Sequence, residues 1–234
     1  MSYILRKPNL MFIKFIDKSN SLLSYPNLIN LKNNYFYLDI PKCGSSFIKS
    51  TIIEDGNSLI NISSNYPHSA LFKRPYFFNS LDEKSIITFI KDPIERFLSV
   101  IRQKMMNKKY FYSGWNPSKF PLKGKKYNLS EINEFINHIV KLPINETDKH
   151  IIPQSKFIED YLNHKKLKIF NVSCITKILS EIGVKNSSFP NNKISLKTNA
   201  NLFNITNLSD NSINLLKNYY LEDYKLLAKL NSKL

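Results

Sequence analysis

Cysteine is scarce in this chain: among 234 residues there are two, Cys43 and Cys174, far apart. They make no disulfide framework and no metal-ligand spacing, and such usage fits a reducing compartment. Acidic side chains are few, 18 against 34 lysines and arginines, leaving a formal charge of +16. That balance favours anionic partners such as nucleotides, phosphates, acidic glycans, nucleic acid or a membrane surface, without choosing among them. Long hydrophobic runs are missing too. No segment approaches the roughly 20 apolar residues that span a bilayer. The N-terminal MSYILRKPNLMFIKFIDKSN mixes basic and apolar residues, but Lys14 and Asp17 interrupt any signal-like core and no small-residue cleavage site follows. The expectation is a soluble, cytoplasmic protein. Neither an internal repeat nor a clean domain boundary appears, so residues 1–234 read as one domain, with 1–34 an N-terminal extension of unsettled structure.

What is present is an alternation of strand-like and helix-like segments, which predicts an α/β fold: a central, mainly parallel sheet flanked by helices. Residues 35–40 read as a strand, 41–46 as a loop and about 46–54 as a helix. Further strands are expected at 58–62 and 85–91, the second stopping at Asp92-Pro93, where aspartate can cap a helix and proline suits its first turn. The helix from 93 to about 107 carries Ile94, Phe97, Leu98, Ile101 and Met105 on one stripe, with Asp92, Arg96, Ser99 and Gln103 opposite. Residues 108–127, rich in lysine, aromatics, glycine and proline, read as a long excursion facing the substrate. Then come a helix at 130–142, a strand at 166–172, a helix at 173–182 ended by Gly183, a polar loop at 186–206 and a closing helix from about 209.

The stretch DIPKCGSS, residues 39–46, follows the first of these strands directly. A loop between a strand end and a helix N-terminus presents backbone N–H groups and the positive end of a helix dipole, which is a ready anion site. Gly44 allows close approach, Ser45 and Ser46 add hydroxyls, and Lys42 adds a full charge. In the Walker A loop the lysine follows the second glycine, whereas Lys42 precedes the loop's single glycine, so a nucleoside-triphosphatase reading fails on order. A tight turn with an exposed lysine is the plain alternative.

The order P-K-x-G-[ST]-[ST] resembles the 5'-phosphosulfate loop of sulfotransferases that use 3'-phosphoadenosine 5'-phosphosulfate (PAPS). IKDPIERFLSVIRQK, residues 90–104, resembles the 3'-phosphate motif R-D-P-x-x-R-x-x-S of the membrane-type carbohydrate sulfotransferases and their bacterial relatives. Asp92, Pro93, Arg96 and Ser99 match that motif, and Lys91 stands where the family has arginine, offering a point charge instead of a bidentate fork. Asp148 to Gln154 resembles the family's H-x-x-P-Q region through His150, Pro153 and Gln154, and residues 220–224 (YLEDY) resemble its C-terminal Y-x-x-D-Y helix. The likeness runs from about residue 35 to 225.

The resemblance implies a P-loop-like nucleotide-binding fold and PAPS-dependent transfer to a carbohydrate or glycoconjugate hydroxyl, anionic acceptors included, with 3',5'-bisphosphoadenosine (PAP) as product and no metal. It implies Lys42 beside the bridging oxygen and Cys43, Gly44, Ser45, Ser46 and Phe47 around the phosphosulfate. Lys91 and Ser99 would hold the 3'-phosphate, Ser99 having a solvated helix serine as its alternative. Arg96 is either a ligand contact or an ion-pair residue holding Asp92 or the loop. A sugar hydroxyl needs a general base, and histidine suits neutral pH. His68, between the two motifs where related enzymes place their catalytic histidine, is the first candidate. His150 comes second or is structural, while His138 and His164 read as packing or surface residues. Two other classes stay open. One is a basic nucleic-acid binder built on residues 108–127; the other is a nucleotide kinase, which needs Mg²⁺ and a Walker lysine that is absent. The sequence leaves the oligomeric state open.

Overall fold

The computed structural model describes residues 28–31, 34–54, 84–102, 129–144, 147–184 and 203–232. The four strands among these residues form one sheet in the order β1-β2-β3-β4: Leu28–Asn30, Tyr35–Leu38, Ser85–Ile90 and Leu167–Asn171. β1 runs antiparallel to β2, with Leu28 opposite Leu38, while β2, β3 and β4 are mutually parallel, Leu38 pairing with Thr88 and Thr88 with Ile169. The Thr88 hydroxyl donates to the Leu38 carbonyl at 2.9 Å, an extra tie between the two central strands.

Both faces of this sheet are covered, as a parallel sheet requires. Period-2 alternation sends Tyr37, Ile87 and Phe89 to one face, where they pack on α1 (Ser45–Glu54) and α5 (Ile175–Glu181). Phe36, Leu38, Ile86 and Ile90 go to the other face, against the short α4 (Gln154–Ile158) and α7 (Leu221–Asn231). A third apolar cluster joins α2 (Pro93–Val100), α3 (Leu129–Ile139) and α6 (Asp210–Tyr219) through Phe97, Ile136, Leu216 and Tyr220.

Most expected elements are present with ends moved by a residue or two. The α-helix expected over 93–107 closes at Val100 and its next two residues widen into a π turn; residues beyond 102 lie outside the described ones. The helix expected at 173–182 opens with a 3₁₀ turn, Val172–Cys174, and the closing helix is two, broken at Tyr220. β1 falls in the segment whose structure the sequence left unsettled. The strand expected at 58–62, the excursion at 108–127 and most of the polar loop at 186–206 lie outside the described residues.

Candidate active site

β2 ends at Leu38, the chain turns through residues 41–44, and α1 begins at Ser45. The Cys43 N–H bonds the Ile40 carbonyl at 3.2 Å and closes the turn, and the Ile48 N–H reaches the Gly44 carbonyl at 3.0 Å to start the helix. Two residues here have left-handed backbone: Gly44 with φ +78° and Lys42 with φ +70°. Glycine adopts that region freely, but an L-lysine does so at a cost of about 1–2 kcal/mol. Gly44 is also sterically confined, since a Cβ there would come within 2.5 Å of Ile175 Cδ1 on α5.

The side chains of this loop divide between ligand side and core. Ser46 is exposed, and Lys42 and Ser45 are half-buried. Cys43 points inward: its thiol is buried, donates to Gln154 Oε1 at 3.0 Å, and burial pushes its pKa up to about 12. Phe47 packs in the cluster of α1 and α5. For Cys43 and Phe47, both expected around the phosphosulfate, the side chains fill the core instead of facing the ligand side of the loop. Under the loop, Lys49 of α1 forms a buried ion pair with Asp39 at 2.5 Å, and the Tyr37 hydroxyl donates to the same carboxylate at 3.0 Å.

β3 ends one residue before Lys91. Asp92 caps α2 by accepting the Glu95 N–H at 2.8 Å, with Pro93 in the first turn. Ser99 is half-buried and its hydroxyl donates to the Arg96 carbonyl at 2.7 Å. Arg96 departs from expectation. Placed by periodicity on the face away from the core stripe, it is fully buried and forms no ion pair with Asp92. Its guanidinium donates to three carbonyl oxygens: Pro41 at 2.9 Å, Ile152 at 2.8 Å and Lys149 at 3.5 Å. The polar side of α2 faces the lysine loop and the segment before α4, and tertiary packing there takes the place of solvent.

Gln154 joins the two loops. Its Oε1 accepts the Lys91 N–H at 2.8 Å as well as the Cys43 thiol, and its Nε2 donates to the Lys91 carbonyl at 2.8 Å. The carboxamide thus pairs with the Lys91 peptide as a neighbouring strand would, just where β2 has turned away. Asp223 of α7 anchors it by accepting the backbone N–H groups of Gln154 and Ser155, each at 2.8 Å. The Tyr220 hydroxyl donates to the Ile151 carbonyl at 2.7 Å, holding the same segment. Neither Gln154 nor Asp223 was given a role from the sequence, although both stand in the H-x-x-P-Q and Y-x-x-D-Y patterns that carried the resemblance.

His150 lies within this segment, its Nδ1 2.7 Å from Asp148 Oδ1 and its backbone N–H donating to that oxygen at 2.8 Å. His138 is exposed on α3, and His164 accepts the Lys166 N–H at the surface. His68 lies outside the described residues. Among the described residues no three His, Cys, Asp or Glu side chains gather as a metal site would, and no helix is long and apolar enough to cross a membrane. The family model described as "Sulfotransferase family" matches residues 26–229. No curated protein and no solved structure matches the chain.

Proposed function

The chain belongs to the sulfotransferase family, and from that premise we propose that it moves a sulfuryl group from PAPS to a hydroxyl of a carbohydrate or glycoconjugate, releasing PAP. The observation that supports this most is the union of the two anion loops. Each follows the carboxyl end of a strand, the two strands are parallel neighbours, and one buried carboxamide binds both loops. Ligands of open α/β sheets sit at such strand ends. The donor set suits a nucleotide phosphorylated at both 3' and 5' positions: N–H groups at the start of α1 with Lys42 on one side, Lys91 and Ser99 on the other.

Sulfuryl transfer, like phosphoryl transfer, relies on positioning and charge stabilisation. In this reading the Lys42 ammonium stabilises charge developing on the leaving 5'-phosphate oxygen, and Gly44, Ser45 and Ser46 hold the phosphosulfate through N–H and O–H donors. Lys91 and Ser99 bind the 3'-phosphate, His68 takes the acceptor's proton, and His150 shapes the turn that Arg96 holds.

Calorimetric titration of the full chain with PAP, 5'-AMP, ATP with Mg²⁺ and a random single-stranded oligonucleotide tests the proposal. PAP is expected to bind tightest, and Lys91→Ala to weaken it by roughly 10- to 100-fold, the worth of a charge-assisted contact. Equal affinity for PAP and 5'-AMP, or Lys91→Ala without effect, would overturn the assignment. ATP or the oligonucleotide binding tightest would favour the kinase or the nucleic-acid binder.

A further inference from the structure

Lys42 and Asn34 are the two non-glycine residues with positive φ among those described. Asparagine tolerates that region and lysine does not, so something outside the turn must hold Lys42 in it. Two buried side chains grip the chain on either side. Arg96 Nε donates to the carbonyl of Pro41, immediately before Lys42, and Gln154 Oε1 accepts the thiol of Cys43, immediately after it. Both grips are anchored from outside the loop, Arg96 on the Lys149 and Ile152 carbonyls and Gln154 on Asp223. Arg96 forms no ion pair with any carboxylate among the described residues, and within that set three carbonyl dipoles receive its buried charge.

We infer that Arg96 and Gln154 are positioning residues for sulfuryl transfer, clamping residues 41 and 43 so that Lys42 is held in left-handed backbone with its ammonium aimed at the leaving oxygen. Gln154 performs a second task with the same carboxamide. By pairing with both polar atoms of the Lys91 peptide it sets the 3'-phosphate side in register with the lysine loop, so one group fixes the span between the two ends of the donor. A buried arginine and glutamine are costly to fold around, and an apolar pair would fill the same space without desolvating a charge. Their polarity is accounted for by what they hold. This inference rests on the proposed function, because the clamp matters only if Lys42 acts in the transition state.

The test measures PAP affinity by calorimetry and the rate of PAP release from PAPS, with water as acceptor, for the full-length protein and three variants. Cys43→Ala removes the thiol donor, Cys43→Ser restores an O–H that can donate to Gln154, and Arg96→Lys keeps the charge but loses the fork. Misplacement of a reacting group by about 1 Å costs up to about 10²-fold. Cys43→Ala and Arg96→Lys are therefore expected to lower PAP release on the order of 10-fold or more, with PAP affinity within about 3-fold of wild type. Cys43→Ser is expected to recover most of the rate. If Arg96→Lys does not fold, the Cys43 pair decides alone. Folded Cys43→Ala with an unchanged rate, or Cys43→Ser as slow as Cys43→Ala, overturns the clamp. Wild type that binds no PAP, or releases none from PAPS, instead overturns the transfer reading on which the clamp depends.

Discussion

At the scale of single residues the lysine loop is governed by backbone shape, of which the order strand, loop, helix was legible in advance. Gly44 shows this most directly, because its left-handed φ and its contact with α5 both exclude a side chain. Gly44→Ala is expected to destabilise the fold by about 2–5 kcal/mol, combining left-handed strain with overpacking against Ile175. Ile175→Val removes the offending Cδ1. It should cost about 0.5–1.5 kcal/mol in the wild type yet restore stability in the Gly44→Ala background. Urea unfolding of the four proteins checks this, and an Ile175→Val effect of the same sign in both backgrounds would rule out the contact as the cause. The direction of Cys43 was not legible. A turn of four residues has no periodicity to say which side chains face inward, and the partner that receives the Cys43 thiol lies 111 residues away.

At the scale of elements, local signals held and tertiary ones were lost. Asp92 and Pro93 marked the start of α2, and Gly183, with φ +80°, follows α5, because caps and stops are made by neighbours in the chain. Arg96 was misplaced because helical periodicity separates faces without saying what covers the polar one. The same limit hid the tie between α1 and β2, where Lys49 meets Asp39 with both side chains almost fully buried. Burial lowers the Lys49 pKa and the Asp39 charge opposes that shift. Removing one partner of such a pair leaves an uncompensated charge, so Lys49→Met is expected to cost about 3–5 kcal/mol. Adding Asp39→Asn to that variant should recover part of the loss, since asparagine is neutral and still accepts the Tyr37 hydroxyl. Guanidinium titrations that show no recovery in the double variant would mean that the lost lysine stem, and not the stranded carboxylate, sets the cost.

At the scale of the whole molecule, the alternation of elements announced a parallel sheet, but strand order comes from pairings across the chain, and the three residues of β1 are too few to show a period. The finished core has a consequence that the net charge of +16 does not reveal. Its buried thiol and phenols are held in their neutral forms: burial raises the Cys43 thiol to about 12 and pushes Tyr37 and Tyr220 well above 10, the Asp39 charge adding to the rise at Tyr37 and the Arg96 charge opposing it at Cys43 and Tyr220. For each of these groups the folded pKa exceeds the unfolded one. As pH rises past about 9 for the thiol and 10 for the phenols, the unfolded chain releases protons that the folded chain keeps, so stability falls. Each such group contributes a slope on the order of 1.4 kcal/mol per pH unit until its folded pKa is reached. Lys49 acts in the opposite sense, because its lowered pKa makes the folded state shed a proton first and gain stability with rising pH. One lysine opposes these three acids and the raised phenols of Tyr161, Tyr219 and Tyr224, so the balance predicts a cooperative alkaline unfolding above about pH 10. Tyrosinate absorbance and far-UV circular dichroism followed together should show a block of tyrosines ionising in step with the loss of secondary structure. Complete, gradual tyrosine titration with the dichroism unchanged would mean that water reaches Tyr37 and Tyr220 in the folded protein, against the packing described for the α1 and α5 face of the sheet and for the cluster of α2, α3 and α6.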